Sequence, residues 1–208
     1  MKKLLIQQGC MGQERLLEIT RARHDAYCAR YGYERWTRLG MQDYIRHPFW
    51  EKIRLIIQAL RTGYEEIVWL DADCLIARDE DLTGALQPIS TMPIGMVRYD
   101  VPYAVPAHFN AGAIYLRAGT AEQRKDLIRL MEDVWADWPS IHPWEEQNGL
   151  NRALAARTHI ACQCLDYRWN CIPAVACADP VVRAWHGETP EARIEAMGRA
   201  VLGMLTEG

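Results

Sequence analysis

Residues 66–76 read EIVWLDADCLI, an apolar run that carries two aspartates, Asp71 and Asp73, two positions apart. Burying unpaired carboxylates in a strand is costly, so the strand is expected to stop before them and leave both at its carboxyl end. In an open α/β sheet that end is where ligands bind. Whether such a sheet exists depends on what precedes the run. Residues 3–8 read as a buried strand, and residues 13–31 as a helix with Leu16, Leu17, Ile19, Ala22, Ala26 and Ala29 as apolar positions. Gly32 stops that helix, and YERWTR at 33–38 alternates like a second strand. Residues 49–62 repeat the helical pattern through Ile53, Ile56, Ile57 and Leu60 and stop at Gly63. The order β-α-β-α-β predicts an α/β fold with a mostly parallel, doubly wound sheet and helices on both faces.

Downstream, the pattern predicts a short helix at 82–86, a strand at 94–98 and a proline-containing loop at 100–108. FNAGAIYLR at 109–117 reads as a strand, followed by helices at 120–138 and 144–157, strands at 159–165 and 181–185, and a last helix at 188–205 opened by Thr189 and Pro190. At 208 residues, half of them apolar, one domain is expected. With 24 Lys plus Arg against 27 Asp plus Glu and no basic run, nucleic acid is excluded as a partner. The start, MKKLLIQQGC, turns polar too soon for a signal-peptide core, and no apolar run approaches the ~20 residues of a membrane helix. A soluble, cytoplasmic protein with its seven cysteines as reduced thiols is the expectation. Cys162, Cys164, Cys171 and Cys177 are spaced C-x-C-x6-C-x5-C, unlike the knuckles of zinc sites, and read as small buried side chains.

A D-x-D at a strand's end has three readings. It can be a polar loop that caps the next element. It can supply the nucleophile and general acid of a haloacid-dehalogenase-type phosphatase. Those motifs commonly continue D-x-D-x-[TV] on the first strand, whereas here position 75 is Leu, the run follows a complete β-α-β-α unit, and no later G-D-x-x-x-D element appears. Third, two carboxylates on a turn form half a cage for Mg²⁺ or Mn²⁺, the other half being the phosphates of a nucleotide.

Six blocks in order favour the third reading: RARHDAYCARYGYE (21–34), FWEKIRLIIQAL (49–60), EIVWLDADCLI (66–76), HFNAGAIYLR (108–117), HPWEEQNGLN (142–151) and AWHGE (184–188). Together they resemble a GT-A nucleotide-sugar glycosyltransferase, above all the fungal and plant α-galactosyl-, α-mannosyl- and α-xylosyltransferase family. Position 31 is Tyr where that family often has His, and the chain is much shorter than the membrane-anchored eukaryotic members. Fold and donor chemistry therefore transfer better than the acceptor, which is a glycan, a lipid-linked or a small-molecule acceptor.

The resemblance implies a GT-A (Rossmann-like) mixed, mostly parallel sheet, a nucleoside-diphosphate sugar donor, here a UDP-sugar, and Mn²⁺ or Mg²⁺ as cofactor. Asp71 and Asp73 would hold the metal with His186, whose neutral imidazole suits Mn²⁺ and which follows the strand VVRAW. Gln7, Gln8 and Gly9, ending the first strand, would lie beside the nucleotide. Lys52, with Arg54 as substitute, would reach the diphosphate, while Trp50 reads as packing. Asn110, Ala111 and Gly112 would face the donor sugar, and Glu146 and Gln147 the sugar or acceptor, with Glu145 in solvent. A retaining reaction lets the leaving phosphate take the acceptor proton, whereas an inverting one needs a carboxylate base, for which Asp100 and Glu146 are candidates. The rival readings are a non-catalytic sugar-nucleotide-binding domain and a sugar nucleotidyltransferase. The latter is disfavoured because QQGCMGQER has only Arg15 where a basic glycine-rich loop is needed.

Overall fold

The computed structural model describes residues 1–40, 46–86, 93–99, 108–137, 146–157, 160–175 and 177–206. The chain opens with β1 (Lys3–Gly9), α1 (Glu14–Tyr31) and β2 (Tyr33–Leu39), and passes through α2 (Glu51–Arg61) to β3 (Glu66–Asp71) and β4 (Cys74–Ile76). After β5 (Ile94–Tyr99), β6 (His108–Phe109) and β7 (Ala113–Arg117) come α3 (Ala121–Ala136) and α4 (Glu146–Ala156). β8 (Cys162–Leu165), β9 (Val182–Ala184) and α5 (Pro190–Thr206) complete it. Seven strands form a mixed sheet in the order β2-β1-β3-β7-β5-β6, with β8 also paired to β5, and β4 pairs with β9 as a separate ribbon. The first three strands are parallel, as their β-α-β-α-β order requires, and β7 then runs antiparallel to both β3 and β5.

Strand alternation sorts the core into two layers. Leu4, Ile6, Ile67, Trp69, Ile114 and Leu116 point to the face covered by α2, α3 and α4, where they meet Ile53, Ile56, Leu60, Leu127, Leu130 and Leu150. Leu5, Val68, Leu70, Ala113 and Tyr115 point the other way, toward Tyr27 and Cys28 of α1. Leu16 and Leu17 on the far side of α1 pack with Trp185 and with Met197 of α5. Helices on both faces explain why β1 and β3 are near-continuous apolar runs.

Local chemistry sets several boundaries. Thr120 and Gln123 form a reciprocal capping box that starts α3. The expected helix at 49–62 is a 3-10 turn over Pro48–Trp50 leading into α2, and residues 144 and 145 of the expected fourth helix lie outside the described residues. The single strand expected at 109–117 is broken, because the Asn110 side chain accepts from Gly112 N–H at 2.8 Å and turns the chain between β6 and β7. β4 was not expected at all. Three residues carry too little periodicity to announce a strand whose partner lies over a hundred positions away.

Beneath the sheet's ligand edge, His24 ties α1 to β1 and β4. Its Nε2 accepts from Ile76 N–H at 3.1 Å, so the proton sits on Nδ1, which donates to Gln7 Oε1 at 2.8 Å. A second proton has nowhere to bond. Complete burial, and then Arg35 and Arg23, pull the His24 pKa down to about 3. An unfolded histidine titrates near 6.5, so between those values the unfolded chain binds more protons and stability is lost as the pH is lowered. By about pH 4.5 the loss should reach about 3 kcal/mol. Urea unfolding at pH 7 and 4.5 should show that loss as the excess of the wild type over His24→Gln; identical pH responses would remove His24 as its source.

Candidate active site

The D-x-D sits where the sheet's parallel strands end. Period two places Ile67, Trp69 and Asp71 on the α2 face, and Trp69 Nε1–H donates to Asp71 Oδ1 at 2.7 Å. From the opposite wall Lys52 of α2 extends beneath it. All three of its N–H donors are used: Ala111 O at 2.8 Å, Glu146 Oε1 at 2.9 Å and Asp71 Oδ1 at 3.0 Å. Lys52 is 3 % exposed, and although it borders both cavities of the site its ammonium is committed to these three acceptors. It is the counter-ion that fixes Asp71 and Glu146. Burial opposes its charge, but Asp71 and then Glu146 outweigh burial and hold its pKa above the ordinary lysine value.

Glu146 is correspondingly committed. Burial raises its pKa, Lys52 pulls it back, and its buried carboxylate acts as a partner of Lys52. Gln147, half-buried, lines the same cleft as Glu146. Its Oε1 accepts from Ala111 N–H at 2.9 Å, and among the described residues no partner holds its Nε2. Asn110 repeats this arrangement: Oδ1 accepts from Gly112 N–H and from Asn170 Nδ2, each at 2.8 Å, so its Nδ2 is presented. A Cβ at Gly112 would lie 2.9 Å from Asn110 Oδ1 and 3.4 Å from Asp71 Oδ2, so glycine here is required by close approach.

The β4–β9 ribbon supplies the remaining part. Cys74 pairs with Ala184, and Trp185 N–H donates to Asp73 O at 3.2 Å, which sets His186 beside the D-x-D. Asp71, Asp73, Asn110, Gly112, Glu146, Gln147 and His186 line one cleft of about 450 Å³, together with His108. A contiguous cavity of about 140 Å³ adds Gln8, Gln13 and Arg193 to Asp71, Asp73 and His186. Burial first, against Asp71 and with Arg193, lowers the His186 pKa and keeps the imidazole neutral. Burial and then Asp71 push Asp73 up to about 6, with Arg193 pulling the other way.

Two expected nucleotide contacts do not reach the cleft. Gln7 is fully buried on the α1 face, its Oε1 held by His24 and Arg35, because alternation along β1 sends it opposite to Gln8. Gly9 makes room for the start of α1, since a Cβ there would lie 3.0 Å from Glu14 Cα and 3.2 Å from Gln13 O. Gln8 does border the smaller cavity, with Nε2 donating to Gly40 O at 3.0 Å. Trp50 is packed in the core, and Arg54 is paired with Glu51 at 2.6 Å. Asp100 and Glu145 lie outside the described residues. Sequence reasoning missed Asn170 and Arg193. For Asn170 no pattern announced it, whereas Arg193 stands seven residues after His186, in the first turn of a helix.

Among solved structures, the chain is similar to a glycosyltransferase involved in the glycosylation of the major capsid of PBCV-1. The TM-score is 0.73 at 18 % identity, covering 95 % of this chain and 99 % of that one. It is also similar to the galactosyltransferase LgtC in complex with donor and acceptor sugar analogs, with a TM-score of 0.57 at 12 % identity over 94 % and 95 % of the two chains. The chain has the GT-A fold. The glycosyltransferase GlyE of Streptococcus pneumoniae TIGR4 shares it, with a TM-score of 0.60 at 11 % identity over 99 % of this chain and 64 % of GlyE. No protein-family model and no curated protein matches the sequence.

The cleft is lined by two carboxylates and a neutral imidazole, groups of the chemical type that a hard or borderline divalent ion such as Mn²⁺ or Mg²⁺ accepts. They fit such an ion chemically. Among the described residues, no three His, Cys, Asp or Glu side chains stand close enough together to hold a metal ion by themselves. A cation shared with a diphosphate needs no finished protein cage. No helix among the described residues is long and apolar enough to cross a membrane.

Proposed function

We propose that the protein is a metal-dependent glycosyltransferase that moves a sugar from a nucleoside-diphosphate sugar, a UDP-sugar, to a glycan, lipid-linked or small-molecule acceptor. The observation that supports this is the convergence of Asp71, Asp73, Asn110, Gln147 and His186 on one cleft of a GT-A sheet. These five residues come from four separate sequence blocks, and the blocks resemble the fungal and plant α-galactosyl-, α-mannosyl- and α-xylosyltransferase family.

Asp71, Asp73 and His186 would hold Mn²⁺ or Mg²⁺, which when bound offsets the negative charge that builds on the departing diphosphate. Gln8 would read the base from the smaller cavity. The amide nitrogens of Asn110 and Gln147, their oxygens already bound to backbone N–H groups, would donate to hydroxyls of the transferred sugar. Lys52, on the wall of both cavities, would hold Asp71 in place. Glu146 is committed to Lys52, and a retaining reaction, in which the leaving phosphate takes the acceptor proton, would ask for no carboxylate base. The protein would act in the cytoplasm.

A panel of nucleotide sugars, incubated with and without Mn²⁺, tests this reading. Metal-dependent release of UDP from one UDP-sugar is the expected result. Binding of UDP with no release from any donor would make the protein a binding module. Release of phosphate from simple phosphoesters would replace the proposal with phosphatase chemistry.

A further inference from the structure

Arg193 stands in an unfavourable place for its charge. It lies in the first turn of α5, where the helix dipole disfavours a cation. Its Nε–H donates to Glu188 O at 3.1 Å, which steers the guanidinium back across the helix end, and one terminal nitrogen lies 3.4 Å from Asp73 Oδ2. The two side chains are 19 % and 10 % exposed. Lys52 is already spent on Asp71 and Glu146. Three carboxylates therefore share two cations, and Arg193 is the one that serves Asp73.

We infer that Arg193 is a displaceable counter-ion of Asp73: a divalent ion must evict its guanidinium to bind, and the freed guanidinium then meets the diphosphate. The inference rests on the proposed metal role of Asp73. An ion held by Asp71, Asp73 and His186 would turn the local balance from one net negative charge to one net positive. Arg193, which lines the same small cavity as those three residues, would then be repelled from Asp73 and attracted by an incoming anion. Metal alone should bind weakly, nucleotide alone should bind weakly, and each should strengthen the other by the same factor.

Titration of Mn²⁺ without nucleotide, read from the electron paramagnetic resonance of the free ion, separates the possibilities. Arg193→Gln should bind Mn²⁺ about tenfold more tightly than the wild type, and UDP should enhance that binding less than it does for the wild type. In EDTA the same variant should melt at a lower temperature, because Asp73 loses its partner; relief of an unfavourable helix end alone would raise the melting temperature. Arg193→Lys, which keeps the charge on a different reach, should fall between the two and serves if the glutamine variant folds poorly. Equal or weaker Mn²⁺ binding by both variants would overturn the displacement while leaving the metal site intact. Absence of Mn²⁺ binding in all three proteins, with and without UDP, would instead overturn the metal reading on which it rests.

Discussion

Replacing Lys52 by methionine should destabilise the protein by about 3–5 kcal/mol, a fall in Tm of roughly 10–15 °C for a chain of this size. The magnitude comes from what the substitution leaves behind. Methionine nearly fills the volume, so cavity formation contributes little. What remains is Glu146, buried with its carboxylate stripped of its partner, beside Asp71 and the Ala111 carbonyl, each of which also loses a hydrogen bond. A buried charge left without its counter-ion is among the few single changes that reach this range. Adding Glu146→Leu should restore most of the loss, because removing both ends of a buried pair is far less damaging than removing one. Guanidinium unfolding of the single and double variants reads the coupling directly. If Lys52→Met proved as stable as the wild type, Lys52 would have to be solvated and the cleft wall differently built.

That role for Lys52 was not legible in the sequence. Its helix was, through the spacing of Ile53, Ile56 and Leu60, but a lysine just before an apolar stripe reads as exposed. Its burial follows from partners 59 and 94 residues away, which no local pattern reveals. The carboxyl end of β3 was legible because two aspartates cannot continue an apolar strand. The separation of Gln7 from Gln8 was available in principle. Period two places Leu4, Ile6 and Gln8 on one face and Leu5 and Gln7 on the other, so only one glutamine can share the face of Asp71. The delivery of His186 depended on β4, too short to be seen, although its pairing with β9 is what lays Trp185 against Asp73. Arg193 was overlooked because a cation opening a helix conflicts with the dipole, and such conflicts are better taken as pointers to a site.

Asp73→Asn should stabilise the protein while removing its response to metal. Burial and the neighbouring Asp71 carboxylate push Asp73 up to about 6, even with Arg193 nearby. A carboxyl whose folded pKa is raised contributes stability that is fully present below its unfolded value, near 3.8, and is lost as pH rises through 6. At neutral pH the ionised Asp73 therefore costs the metal-free fold about 3 kcal/mol, which asparagine would avoid. In EDTA at pH 7.5 the variant should unfold at higher denaturant than the wild type, and the difference should vanish below about pH 4. His24 titrates over part of the same range with the opposite sign, but it is common to both proteins and cancels in the comparison. Mn²⁺ should raise the wild-type melting temperature and leave that of the variant unchanged, with UDP release from the donor reduced ~10³-fold. A variant less stable than the wild type in EDTA would mean that Arg193 already stabilises the carboxylate more than burial penalises it. One that kept its Mn²⁺ response would place the ion on other residues. The expected pairing of gained stability with lost metal binding is what a side chain held in place for a ligand should show, since its charge is unfavourable until that ligand arrives.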